Sequence, residues 1–580
     1  MTDLNRRTFL TGSAALAAAL AGCASTAKGV DPVTTPRATE EASGLGAEDA
    51  SAPTMSDGRP ALRVLLAEVD GAALDDERAK LLHARDLAND PLPQSIVMAP
   101  GRTRVELNRD EPIQLVCRLK VPKFGEVYCF ADNDGHGYAK ASEIEFVADA
   151  ARTRARRVNE AYEKLKPTGV TLAKEFLDHL SRAQRPMANS PRNARIADAY
   201  DRLSHGLHAG EMLTLAAARH RIARLPAPRD DFQFGIKISG FNTFGPDYDK
   251  RIREAFNFAT VSWYTWKNEE PPEKRIDYER MDLSIDWCVE RQLTVKTFGY
   301  LYMARGATPE WIRPIETMPD GTPATGPSET TIRRFNDRWP YERIKEQYVN
   351  VVRTTAARYA GKAVPFIEIM NEAHDKANLW HLSHEQVLDM GRAVFTAAHE
   401  ANPSIKRMMN HCCMWGEYAK TRNRDGTRRW SPWQFIDTCF KNGIDYERIG
   451  LQLYYPQYDV FEIERMLDRF ETFNRPVHIT EFATASREGL DPMSMRPNTA
   501  APGWHGPWTP TTQADWAEAI YTLCYSKRYM ECVGWWDISD AKGHFWPHGG
   551  MFDADFKPKE SYHRLRTLQK RWGIGPAAKA

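Results

Sequence analysis

From Asp231 onward the chain alternates short apolar runs with longer segments whose apolar residues recur every three or four positions. The runs are FQFGIKI, FNFATVSW, TVKTFGY, VPFIEIM, IKRMMNH, RIGLQLY, PVHITEF and CVGWWDI. Most intervals hold an amphipathic stretch such as RMDLSIDWCVERQ or ERIKEQYVNVVRTTAARYAG. Short apolar runs bounded by turn residues read as strands, and the 3.6-residue repeat reads as helix. Eight such units over residues 229–574 predict an α/β fold, a (β/α)8 TIM barrel, in which reactive groups gather at the C-terminal ends of the strands.

Upstream the pattern differs. ALRVLLAEVDG, TRVELN, IQLVCRLKVP and GEVYCFADNDGHGY are β-type runs broken by Pro, Gly, Asn and Asp, so residues 59–147 are expected to form a small β domain, either a packing domain or itself sugar-binding. Helical periodicity then runs through residues 148–228. Within the β region, Asp132 to Gly137 (DNDGHG) has the opening of a calcium loop, with Glu143 at the twelfth position. The flanks read as strand rather than helix, which favours a plain Asp/Gly turn. Cys117 and Cys129 fall on neighbouring strand candidates, and their spacing leaves a disulfide open.

The N-terminus reads as an address. Arg6-Arg7 precede a run of small apolar residues ending in Leu20-Ala21-Gly22-Cys23, which resembles a bacterial twin-arginine signal fused to a lipoprotein cleavage box over residues 1–23. On that reading Cys23 is lipidated and the protein is exported, to the periplasm or to an outer-membrane or cell-surface position, touching membrane only through its lipid. Residues 24–58 are rich in Ala, Thr, Ser, Glu, Pro and Gly and are expected to be a flexible tether.

Composition narrows the partners. With 78 Lys+Arg against 77 Asp+Glu, no global field selects nucleic acid or an anionic membrane, and a monomer is expected. The 16 Trp provide flat apolar faces for stacking on sugar rings or for core packing. The NHCCMWG stretch at 410–416 resembles metal-binding material, but a histidine beside vicinal cysteines at a strand end is more often packing. Neither metal nor cofactor is expected.

The chemistry is carried by two carboxylates. Glu372, after Asn371, ends the fourth strand of the predicted barrel, and Glu481 in VHITEF ends the seventh. Each alone could cap a following helix. Together they face one cup and suit double-displacement glycoside hydrolysis.

FIEIMNEAHD and VHITEF resemble the acid/base and nucleophile strands of glycoside hydrolase family 10, the β-1,4-xylanase family of clan A. ATPEWI, GLQLYY and GWWDISDAKGHFW…GGMFDADFKPKESYHRL resemble further elements of that family. The resemblance implies that Glu481 is the nucleophile, that Glu372 is the acid/base, that Asn371 bonds the sugar 2-hydroxyl, and that Gln452, Trp536 and Trp546 face substrate. Departures lie in the glycone subsites. The second-strand end reads SWYTWKNEEP and keeps only an approximate Trp266-Lys267. Two expected histidines are replaced near Tyr300 and Arg305, and a third is Tyr454, whose hydroxyl could bond the nucleophile. Trp504 and Trp508, in the loop after the nucleophile, are either sugar platforms or core. The expectation is a secreted retaining endo-β-glycosidase acting on a β-1,4-linked polysaccharide, xylan foremost. The alternatives are another β-linked glycan or a non-catalytic carbohydrate-binding protein.

Overall fold

The computed structural model describes residues 60–98, 102–107, 111–187, 189–241, 243–262, 276–304, 307–312, 339–374, 378–423, 425–454 and 457–579. Arg6, Arg7, Cys23 and the tether, together with Trp266, Lys267 and Arg305, lie outside the described residues.

Eight strands close a parallel barrel: β9 (Gln233–Ile238), β10 (Phe258–Val261), β11 (Thr294–Thr297), β12 (Phe366–Asn371), β13 (Lys406–His411), β14 (Arg448–Leu453), β15 (Val477–Phe482) and β16 (Met530–Trp535), with β16 pairing back onto β9. All eight correspond to the apolar runs read from the sequence. They are buried almost throughout because helices cover the outside and side chains fill the inside. Each strand is followed by a helix: α4 (Pro246–Ala255), α5 (Glu279–Glu290), α6 (Tyr341–Arg358), α7 (His384–Ala401), α8 (Pro432–Lys441), α9 (Val460–Glu471), α10 (Pro510–Tyr525) and α11 (Glu560–Trp572). Local chemistry sets several starts. Ser383 with Gln386 and Ser431 with Gln434 form capping boxes at α7 and α8, which satisfy amides the first turn leaves open.

The N-terminal region holds two four-stranded sheets. One has the order β4 (Ile96–Val97), β5 (Thr103–Glu106), β1 (Ala61–Leu65), β8 (Ser142–Glu145). The other has the order β3 (Pro91–Leu92), β2 (His83–Asp86), β6 (Ile113–Val121), β7 (Gly125–Ala131). Helices α1 (Phe146–Leu165), α2 (Lys174–Gln184) and α3 (Arg192–Ala223) follow. Asp132 caps a turn rather than opening a calcium loop. Its carboxylate accepts from Gly135 N at 3.0 Å and is held by Arg156 at 2.7 Å and Arg157 at 2.9 Å, so its oxygens are already taken. Cys117 and Cys129 stand opposite each other on β6 and β7, both buried and both free thiols.

This region is joined to the barrel by polar contacts from several elements. Arg154 of α1 makes a fork onto Asp459, with 3.0 and 2.6 Å contacts, and Arg157 reaches Glu462 at 3.4 Å. Asp459 and Glu211 of α3 together cap the start of α9: Asp459 accepts from Phe461 N at 3.1 Å, and Glu211 accepts from Val460 N at 3.1 Å. The outer edge of β7 bonds barrel loops, with Glu126 N to Gly503 O at 3.0 Å and Tyr128 N to Gln457 O at 2.8 Å.

Candidate active site

At the C-terminal ends of β12, β14 and β15 the ladder slips out of register, between Glu368 and Met370, between Leu451 and Gln452, and between Ile479 and Phe482. Such irregularities re-aim side chains, and these three bring polar residues of three strands toward one point. Glu372, one residue beyond β12, has left-handed backbone at φ 54°. For a non-glycine residue that costs of order 1–3 kcal/mol and persists only where the surroundings enforce it. Here Glu372 N donates to Asn410 O and Asn371 N to Leu301 O, each at 3.0 Å.

The two carboxylates are joined by one amide. Gln452 Nε2 lies 2.7 Å from Glu372 Oε1 and 2.9 Å from Glu481 Oε1. Their facing oxygens are therefore no farther apart than two hydrogen bonds laid end to end. Glu481 also accepts from Asn410 Nδ2 at 2.8 Å and from the Tyr454 hydroxyl. Glu372 accepts from the Tyr302 hydroxyl at 2.9 Å. Asn410 is itself oriented, bonding Asn371 Oδ1 at 3.0 Å and accepting from Thr480 Oγ1 at 2.5 Å. Asn371 Nδ2, fully buried, has no partner among the described residues.

Burial pushes the Glu481 carboxyl up to about 8. The Glu372 charge adds to the rise, while the Tyr454 hydroxyl opposes it. Two carboxyls this close act on each other's charge, so their titrations are coupled. Lower in the barrel, the buried Lys296 bonds Glu368, whose other oxygen accepts from Gly299 N at 3.3 Å; burial raises the Glu368 carboxyl while Lys296 lowers it.

The structure thus gathers Glu372, Glu481, Asn371, Gln452 and Tyr454. Trp536 and Trp546 pack beside Tyr454 with Phe298 and Phe545. Tyr300 does not join them: its hydroxyl turns to Met281 Sδ at 3.4 Å, between strand and helix, and the site tyrosine is Tyr302. Trp504 and Trp508 are core rather than platforms. The Trp504 indole donates to Glu211 at 3.0 Å and stacks on His505, and the Trp508 indole donates to Pro502 O at 2.8 Å. Sequence reasoning missed Asn410, whose signal was its place at the end of β13, directly beside Asn371 in register. Among the described residues no group of three or more His, Cys, Asp or Glu is arranged to hold a metal ion, and His411 in the NHCC stretch packs on His374.

The sequence profile of glycosyl hydrolase family 10 matches residues 227–568. No curated protein matches the chain. Among solved structures, the chain is similar to native xylanase 10B from Thermotoga maritima (17% identity, 59% of this chain and 96% of that one, TM-score 0.42). It is also similar to xylanase B from Clostridium stercorarium F9 (16%, 59% and 99%, TM-score 0.43) and to a GH10 protein from Paenibacillus barcinonensis (16%, 60% and 95%, TM-score 0.42). At these scores the likenesses add no weight to the family match.

Proposed function

This chain belongs to glycosyl hydrolase family 10 and is a glycoside hydrolase; from that premise we propose that it is a retaining endo-β-glycosidase acting on a β-1,4-linked polysaccharide of the xylan type. The observation that carries the retaining part is the single Gln452 amide bonded to both carboxylates. Carboxyl groups about 5–5.5 Å apart leave no room for a water between nucleophile and sugar, whereas inverting enzymes need about 6.5–9.5 Å.

In the proposed reaction a Glu481 oxygen attacks the anomeric carbon. The glycosidic C–O bond breaks, its electron pair goes to the leaving oxygen, and that oxygen takes the proton from Glu372. Glu372, now a carboxylate, removes a proton from water, whose oxygen attacks the same carbon and releases Glu481. The free Asn371 Nδ2 is suited to donate to the sugar 2-hydroxyl, and Tyr454, Asn410 and Gln452 stabilise the ionised nucleophile. A pure binding module has no use for two carboxylates held on one shared donor. Xylan is proposed because the acid/base, nucleophile and closing segments resemble those of β-1,4-xylanases.

The proposal includes location: an exported lipoprotein monomer held by Cys23. Changing Arg6-Arg7 to Lys-Lys should block export, and Cys23→Ala should abolish lipid labelling.

The test of the chemistry is a proton NMR time course on a β-1,4-xylan oligosaccharide, with mass spectrometry after reaction with a 2-fluoro xylobioside. The expected result is the β-anomer first and label on Glu481. The α-anomer first would overturn the retaining reading.

A further inference from the structure

Lys237 stands on β9 inside the cup, 9% exposed. Its Nζ lies 4.3 Å from the centroid of the Trp536 ring, and its charge acts on both Glu481 and Asp537. Among the described residues it makes no hydrogen bond and no ion pair. The nearby acid is committed elsewhere: Asp537 accepts from Phe545 N at 2.7 Å and from Trp546 N at 2.8 Å. A second cation stands on the same aromatic group, for the Arg496 guanidinium lies 4.4 Å from the Phe545 ring and 5.7 Å from the Trp546 ring.

Most of the Lys237 side chain is buried, but its Nζ, a group with three donors and no acceptor, keeps accessible surface toward the cup. The aromatic face beneath it contributes of order 0.5–2 kcal/mol and offers no acceptor for those hydrogens.

Resting on the glycosidase reading above, we propose that Lys237 is a specificity-determining residue and that the substrate is an acidic β-linked glycan, whose carboxylate or sulfate substituent pairs with the Lys237 ammonium beside the scissile bond.

The experiment compares kcat/KM of the full chain, K237M and K237R on three oligosaccharides of equal β-1,4 backbone length: neutral, uronic-acid-bearing and sulfated. The wild-type protein is expected to favour one acidic substrate over the neutral one by about 10–100-fold, the worth of one hydrogen bond to a charged group. K237M should lose that preference while changing on the neutral substrate by only a few-fold, and K237R should keep most of it. The two acidic arms tell carboxylate from sulfate. No acidic preference in the wild type, or equal losses by K237M on all three, would overturn the proposal; the second result would make Lys237 an electrostatic support for Glu481. Calorimetric binding of the same oligosaccharides to the Glu372→Ala protein separates this proposal from the one it rests on. Tight binding of an acidic sugar that the wild type never cleaves sinks the hydrolase assignment for that glycan and keeps the Lys237 role. Indifferent binding of all three sinks the Lys237 role alone.

Discussion

Where α1 meets the barrel, Arg154 forks onto Asp459, Arg157 spans Asp132, Gln114 and Glu462, and Arg465 closes the far side of Glu462 at 2.6 Å. Every one of these charges meets an opposite charge inside the protein. In the cup, by contrast, the carboxylates share one donor, Asn371 Nδ2 and the Trp536 indole N–H have no partner among the described residues, and Lys237 Nζ points at an aromatic face. Both assemblies are buried and polar. The difference is whether the hydrogen-bonding is completed from within, and an interior left incomplete in several places around one point is an interior arranged for a visitor.

The comparison can be broken from either side, and the largest effect belongs to the cup. Glu481→Gln should lower kcat/KM by about 10⁴–10⁶-fold, as removal of a nucleophile does, while making the protein more heat-stable. The sign follows from the raised carboxyl. Between the ordinary 4.5 and about 8 the folded carboxyl pair, whichever oxygen carries it, holds a proton that the unfolded state has released, so stability falls as pH rises through that window. The gain in Tm of the variant over wild type should therefore be small at pH 4.5 and grow toward pH 8. A constant gain would show that the carboxyl is not raised.

Next in size is the junction. Arg154→Met strands Asp459 beside Glu462 and should cost about 3–5 kcal/mol in a denaturant melt, with kcat of the folded fraction unchanged. A loss of activity without a loss of stability would erase the distinction drawn here. Smaller again, Tyr454→Phe removes a donor that holds the Glu481 carboxyl down, so the acid limb of the kcat/KM profile should move to higher pH by about one unit. A shift in the other direction would mean that Tyr454 favours the protonated form. Smallest, Trp504→Phe loses one buried hydrogen bond to Glu211 and should cost about 1 kcal/mol of stability. Substrate affinity should not change; if it fell, Trp504 would be a sugar platform after all.

The barrel was legible in the sequence because each strand is a short apolar run set off by turn residues, and the carboxylates were legible because each closes such a run. Tyr302 was not. Beyond Thr297 the chain has left the β11 ladder, so alternation no longer tells which of Tyr300 and Tyr302 faces the cup. Asn410 was hidden by its neighbours His411, Cys412 and Cys413, which drew the eye to metal chemistry. Division of the N-terminal strands into two sheets depends on a parallel pairing of β1 with β8, far apart in sequence, which no local pattern announces. The Arg154–Asp459 contact joins residues 305 positions apart and is invisible for the same reason.

The double cap on α9 bears on how this protein can be cut. The family match begins at residue 227, which invites a truncated catalytic fragment. Such a fragment would keep Asp459 and Glu462 in place but remove Arg154 and Arg157, and with Glu211 it would also take away the acceptor for Val460 N. Helix α9 directly follows the strand that carries Gln452 and the loop that begins with Tyr454, so an unfastened α9 would loosen the reacting groups from behind. The start of the family match and the start of the structural unit therefore differ, the N-terminal region serving the barrel as a prosthetic wall, and expression vectors for the enzyme should begin near residue 60.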